Sequence, residues 1–444
     1  MKRLLLVAAA VVVALVVGAG VGYYLHIRHA ERNIRGSSTV QFVPTEIPKP
    51  APKPPGVSWP MYGLDQERLR FANGISLAPP FRLLWTFRAR NLIEFPPAVA
   101  YGRLYFANNS GVLFGVYANT GKTAWTFASH RCQAMSPAVN AQTVYATFLN
   151  HPPCNASGGN LDGEIVALNA GSGKVRWRRQ TGPSESSPLV RGNDVYVGDW
   201  NGRVDDFDAT TGDLKWTFKA GGKVKDGIAA SGNSLFFGAY DSHVYAVDAR
   251  NGKLLWRASS QPRFGQSGEF YATPAIAYGR VFIGSTDGKE YAFGATTGDI
   301  LWSHSTGGYV YSSSAVWRQR VYAGSYSGSL FCFDAATGDV KWSFKANGPI
   351  SGSPTIVSGR VYFATLKRRT YALNAATGAL LWTYPDGEYT PVVADPTHLY
   401  LVGYTRLYGL EEKRAVPSVH AVPRHRRSGV HRVAPRRGAR PKRP

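Results

Sequence analysis

The chain has 444 residues, of which 44% are hydrophobic, 13% aromatic and 18% charged. That balance excludes a broadly disordered polypeptide and supplies a sizeable apolar core. The formal net charge is +23, but residues 415–444 hold nine bases and no acid, and residues 1–56 hold seven bases and two acids; the body of the chain is therefore only moderately basic.

Residues 4–25 run 22 positions without a charge, preceded by Lys2-Arg3, which is enough to span a bilayer as a helix. The competing reading is a cleaved signal peptide. Val17-Gly-Ala-Gly20 has the small residues of a cleavage site, yet the apolar run continues through Leu25, so residues 1–27 read as an uncleaved anchor. Arg28, Arg32 and Arg35 follow it and weaken the positive-inside signal. Residues 28–56, proline-rich from Val43 to Pro55, read as a spacer. Extended at about 3.1 Å per residue, it holds the next domain a few tens of Å from the membrane.

From residue 57 the chain repeats. A glycine stands four residues before a tryptophan at Gly121/Trp125, Gly173/Trp177, Gly212/Trp216, Gly252/Trp256, Gly298/Trp302, Gly338/Trp342 and Gly378/Trp382. Successive tryptophans are 52, 39, 40, 46, 40 and 40 residues apart, the period of a repeat architecture. Each unit reads as four short antiparallel strands. In the unit ending at Trp382 they are the residues after Pro354, Gly359–Ala364, Thr370–Asn374 and Ala379–Tyr384, rich in β-branched and aromatic residues and bounded by turn residues. An isolated sheet of this size cannot bury both faces, so the sheets stack radially with the tryptophans wedged between them.

The ends decide the count. Trp85, in Phe81–Phe87, reads as a fourth strand with nothing before it that reads as strands one to three. Residues 390–393, 398–402 and 406–410 read as strands one to three with no fourth. The two ends complete one blade between them. The expected fold is all-β: an eight-bladed β-propeller over 57–412, its ring closed by an N-terminal strand in the last blade, behind an N-terminal transmembrane helix.

The recurring Asp-Ala-x-Thr-Gly-x-x-x-Trp, as in Asp208–Trp216 and Asp334–Trp342, resembles the tryptophan-docking repeat of pyrroloquinoline-quinone-type (PQQ-like) eight-bladed propellers. Trp59-Pro-Met-Tyr-Gly63 is similar to the segment that precedes such domains. The resemblance covers 57–412 and makes Trp85, Trp125, Trp177, Trp216, Trp256, Trp302, Trp342 and Trp382 structural docking residues. It implies a fold more than an activity, because the superfamily includes quinoprotein dehydrogenases, the outer-membrane assembly lipoprotein BamB and receptor-kinase sensor domains. Its dehydrogenases hold their quinone between a tryptophan and a disulfide of neighbouring cysteines, with calcium on acidic and amide side chains. This chain has no adjacent cysteine pair and no matching calcium set, so no catalytic, cofactor-binding or metal residue is assigned and no cofactor is expected. PQQ with calcium belongs only to the alternative reading.

Cys132 lies in the loop entering the blade that ends at Trp177, and Cys154 in that blade's enlarged hairpin, 150–159. Both emerge on one face, so a Cys132–Cys154 disulfide is expected, against two unpaired surface thiols. It fits an oxidising compartment. Cys332 reads as a buried, inert strand residue. No cysteine precedes Cys132, so BamB's lipid anchor is not expected at this N-terminus. The cysteines and the family habit put the N-terminus inside and the propeller outside, as a single-pass cell-membrane protein.

Aligned on the proline or its equivalent that opens strand one, the loops entering the blades present Glu94, Ala134, Glu185, Lys225, Tyr271, Tyr311, Ser351 and Glu388 three residues earlier. These loops converge on the central channel. Glu94, Glu185, Lys225, Tyr271, Tyr311 and Glu388 are therefore the candidate binding residues of its mouth, for a ligand or an ion, or else a solvated rim. The longer loop 261–270 joins the same face. Residues 413–444 have nothing to bury and read as a disordered basic tail that meets anionic lipid or polymer, or solvent alone. The functional expectation is a membrane-anchored, extracytoplasmic, monomeric propeller that binds or scaffolds an unidentified protein partner or ligand without catalysis. The alternatives are a PQQ-dependent dehydrogenase and a ligand-sensing or cell-wall glycan-binding propeller.

Overall fold

The computed structural model describes residues 2–30, 32–44, 55–154, 161–261, 267–389 and 392–413. The tail from 414, the centre of the proline-rich stretch and residues 262–266 of the loop 261–270 lie outside the described residues.

Eight sheets, each built on four antiparallel strands, make an all-β propeller. We number the blades from one (98–128) to eight, which ends at Glu412. Blade seven shows how the sequence makes them. Thr355–Val357, Arg360–Thr365, Arg369–Asn374 and Leu380–Tyr384 pair in order, and every residue of Thr355–Val357 is buried, as the innermost strand of a radial sheet must be. Ser358 and Gly359 turn the first hairpin with φ of +52° and +70°, the left-handed pair that matches strand twist. Before the last strand the Asn374 carboxamide accepts the amides of Ala376 and Thr377 at 2.9 and 3.1 Å, and Gly378 follows at φ +76°.

That glycine also explains the repeat. A Cβ on Gly378 would lie 2.8 Å from the indole of Trp342, so the glycine of one blade packs on the tryptophan of the blade before. The same tryptophan donates its Nε1 hydrogen to the carbonyl of Ala375 at 3.3 Å. The bond recurs as Trp85 to Ala118, Trp125 to Ala170, Trp177 to Ala209, Trp216 to Ala249, Trp256 to Ala295 and Trp302 to Ala335, all between 2.9 and 3.1 Å. Each indole thus buries its apolar surface and satisfies its one donor across a blade boundary. Trp382 instead meets Phe81 edge-on at 5.5 Å.

Blade eight draws its strands from both ends: Phe81–Arg88 pairs antiparallel with Arg406–Glu412, outside Leu399–Val402 and Val392–Ala394. Nearer the axis a collar of hydroxyls links neighbours. Backbone N–H groups of Ser136, Gly227, Thr273 and Ser313 donate to the hydroxyls of Ser187, Thr273, Ser313 and Ser353 in the next blade, at 2.8 to 3.0 Å.

Residues 57–72 then cross the ring and tie it together. Val57–Trp59 pairs with the inner strand of blade one. The carbonyls of Pro60, Gln66, Glu67, Leu69 and Arg70 accept from Val139, Ala230, Ile276, Val316 and Ile356, at 2.7 to 3.0 Å. Those donors belong to the inner strands of blades two, four, five, six and seven. Phe71–Ala72 closes the traverse by running parallel to Thr355–Val357. The segment bonds through its backbone, which is why it carries no strand-like side-chain pattern.

Lys2–Ala30 is one helix. It runs beyond the residue 27 expected from composition, because His26-Ile-Arg-His-Ala30 contains no breaker. Leu6–Arg28 is long and apolar enough to cross a bilayer, with mean hydropathy 2.4, and is exposed apart from Ile27. The spacer expected over 28–56 is not free along its first part. Ile34 bridges to Ser303, Arg35 pairs with Asp339 at 2.8 Å, and Phe42 packs on Tyr278 with ring centroids 5.4 Å apart. Residues 32–43 contain no proline, so each of their backbone N–H groups is able to donate.

Trp302 is fully buried. Trp302→Ala should lower unfolding stability by about 3–5 kcal/mol, read from denaturant midpoints at unchanged m-value. A chain beginning at residue 91 lacks the outer strand of blade eight. It should melt at lower temperature and associate through the uncovered 406–412 edge, as light scattering would register; wild-type melting and solubility would refute ring closure by that strand.

Candidate functional site

Seen along the axis, one side of the channel is filled by the chain itself. Arg68 and Arg70 are both buried. Arg68 donates to the carbonyls of Ile228 at 2.8 Å and of Ser187 and Pro188 at 3.3 Å, and to that of Tyr62. Arg70 donates to the carbonyls of Arg68 and Ser314 at 2.7 and 3.3 Å and stacks 4.6 Å from the centroid of Tyr62. Guanidiniums suit this position because their planar fork answers several carbonyls at once.

Above this plug the inbound loops converge. Lys225 pairs with Glu185 at 3.2 Å, with only 19% and 13% of the two side chains exposed. Its ammonium also lies 4.8 Å from the ring centroid of Trp200 and 5.4 Å from those of Tyr240 and Tyr271, inside cation–π range. The lysine therefore occupies an aromatic cage of its own chain. Tyr271 meets Tyr311 at 5.3 Å, and Tyr311 meets Tyr326 at 5.1 Å. Glu94 accepts from the Asn109 amide at 3.3 Å. Beside Lys225, the buried Asp226 accepts from the backbone of Gly227 at 2.8 Å, the backbone of Thr273 at 3.1 Å and the hydroxyl of Ser313 at 3.3 Å.

The structure thus brings Glu94, Glu185, Lys225, Tyr271 and Tyr311 together. Glu388 meets Arg368 of the basic hairpin of blade seven, its carboxylate at 3.6 Å. Sequence alignment missed Asp226, Trp200, Tyr240, Tyr62 and Tyr389. Asp226 and Tyr389 were each one position from an aligned residue, and Tyr62 sat in the Trp59–Gly63 motif; Trp200 and Tyr240 come from hairpins whose reach only the fold defines. A cavity of about 30 Å³ lined by Tyr62, Glu94, Asp226, Tyr271, Tyr311 and Tyr389 remains at the mouth.

That space holds one or two waters, whereas organic ligands fill about 300–1,000 Å³. Cys132 and Cys154 are bonded to each other, with Cα atoms 5.4 Å apart and 22 residues between them in sequence; they are not the neighbouring pair of a quinone site. Among the described residues no cluster of three or more His, Cys, Asp or Glu is arranged to hold a metal. Cys332 is buried, and burial pushes its thiol up to about 12.

Burial, then the charge of Glu185, pushes Glu94 up to about 7; burial raises Glu185 and Asp226 too. A carboxyl whose folded value is raised stabilises the fold below its unfolded value and loses that contribution as pH rises through the folded one. Between about pH 4.5 and 7, wild-type melting temperature should therefore fall relative to Glu94→Gln, and a constant difference between the two proteins across that window would refute the assignment.

With the geometry in hand, comparison with known proteins is informative. A family model described as outer membrane protein assembly factor BamB matches residues 80–199, 157–288, 200–316 and 291–414. Tetrathionate hydrolase of Acidithiobacillus ferrooxidans is 27% identical over 203 residues, covering 42% of this chain and 40% of that protein. BamB of Burkholderia pseudomallei is 35% identical over 95 residues, 21% of this chain and 23% of that protein. The matches thus span less than half the length of these two relatives. The solved quinohemoprotein alcohol dehydrogenase of Comamonas testosteroni superimposes with a TM-score of 0.66 at 15% identity, over 81% of each chain, a likeness of fold alone. The seven indole bonds between blades and the overlapping family matches lead to one conclusion: this chain belongs to the BamB-like family of PQQ-type β-propellers.

Proposed function

We propose that the chain is a membrane-anchored, extracytoplasmic propeller that binds and organises other proteins and performs no chemistry of its own. The observation carrying this reading is the occupancy of the channel by the protein's own groups: Arg68 and Arg70 fill the axis, and Lys225 fills its aromatic cage. A cofactor would have to displace paired, buried charge, which costs several kcal/mol per ion. The family description, an outer membrane protein assembly factor, supports a role in protein assembly. The N-terminal apolar helix supports anchoring, and the Cys132–Cys154 bond supports an oxidising compartment.

The relatives also include quinone-dependent dehydrogenases, so the decisive experiment addresses that chemistry directly. The full chain in detergent, incubated with pyrroloquinoline quinone and calcium, should reduce an acceptor dye with alcohols or sugars no faster than quinone and calcium alone. Substrate-dependent turnover above that background would overturn the non-catalytic reading.

A further inference from the structure

The boundary between blades five and six shows how this propeller binds an extended segment. Ile34 exchanges both backbone bonds with Ser303, at 3.1 and 2.9 Å. Gly36 donates to the carbonyl of Thr337 at 2.9 Å and lies so close to Trp302 and the Ala336 carbonyl that any side chain there would collide. Arg35 grips Asp339 with Nε and Nη2, at 3.0 and 2.8 Å. Beyond this Ile-Arg-Gly core, Arg280 takes the carbonyls of Ser37, Val40 and Gln41 at 2.7 to 3.1 Å.

One blade back, the repeat register supplies the same core elements at the boundary of blades four and five. Arg257 stands where Ser303 does, Trp256 for Trp302, Thr296 and Thr297 for Ala336 and Thr337, and Asp299 for Asp339. Leu254–Ser259 is the outermost strand of its sheet, with no strand paired to its free edge among the described residues. Here a groove of about 690 Å³ lies open, lined by Leu255, Trp256, Thr296, Phe236, Ser234 and Tyr278. It is open because Ser234 replaces the bridging Arg280 and Gly232 replaces Tyr278. The groove adjoins the docked segment: Val43 donates to the carbonyl of Tyr278 at 3.2 Å, and Tyr278 and Gly279 line both.

We propose that this boundary is a docking site for an extended, basic segment of a partner polypeptide carrying an Arg-Gly pair. The segment adds to the free edge at Arg257, its glycine lies over Trp256, and its arginine pairs with Asp299. That carboxylate is exposed and, among the described residues, meets the Gln41 amide at 3.4 Å on one oxygen. The arginine fits as a bidentate partner, as Arg35 does for Asp339. This site is separate from the channel mouth and does not depend on whether the mouth is catalytic.

The test uses the full chain in detergent and a fluorescein-labelled synthetic peptide with the sequence of residues 32–38, read by anisotropy. Saturable binding is expected, weakened about threefold by Asp299→Asn and not weakened by Ser234→Arg, which supplies the carbonyl-gripping arm that Arg280 supplies at the next boundary. A peptide carrying Gly36→Val should not bind. Ser234→Arg should keep the wild-type melting temperature; if it does not fold, Asp299→Asn and the valine peptide carry the test. No binding up to about 1 mM, a Kd that allows only weak association, would overturn the proposal. So would binding insensitive to Asp299→Asn and sensitive to Asp339→Asn, which would mean the peptide merely exchanges with the protein's own segment.

Discussion

The indole-to-carbonyl bond between consecutive blades is the contact on which the rest of the molecule depends. A four-stranded sheet of some 25 residues has too little core to persist alone. The tryptophan on its outer strand solves this only if the next blade brings a carbonyl to Nε1 and a surface flat enough to accept the ring. Both come from the turn before the following outer strand: Ala335 supplies the carbonyl for Trp302, and Gly338, three residues on, supplies the bare backbone at φ +75°. Any side chain on that glycine would meet the indole face. The Gly-x-x-x-Trp spacing is thus two half-sites, one facing the preceding blade and one the following blade.

Stacking alone would leave an open axis lined by inner strands. Residues 57–72 fill it, bonding through their carbonyls to inner strands of five blades and lodging two arginines among carbonyl oxygens. This is an economical way to satisfy polar backbone that would otherwise face a narrow, poorly hydrated channel. It also shapes the mouth above. With the axis filled, the converging carboxylates find Lys225, Asn109 and backbone amides in place of a guest, and they are held at raised affinity for protons by the same burial.

The two N-terminal segments use opposite logic to bind the ring. Residues 57–72 offer carbonyls to strand amides along the axis. Residues 33–43 add to an outer edge, offer a glycine to a blade tryptophan and hand their carbonyls to an arginine. The second mode depends on features that recur at each blade boundary, so differences between boundaries reduce to a few residues, as Ser234 against Arg280 illustrates.

The blade architecture was legible from residue order alone, because its determinants are local: alternating apolar strands, Asn or Asp before a left-handed glycine, and a tryptophan at fixed spacing all lie within about 40 residues. The shared blade was legible for the same reason, since Phe81–Phe87 and 406–410 each carry a strand pattern with a missing partner. Aligning the repeats gave backbone positions on the entry loops but not the partners of the side chains there: Lys225 beside Glu185 and Arg368 beside Glu388 came from the fold. The axial plug, the docked half of the spacer and the open groove came only with the tertiary structure. Residues 34–36 and 60–70 bind largely through main-chain groups, which every sequence possesses, to strands 79 residues or more away, so no pattern of side chains announces them.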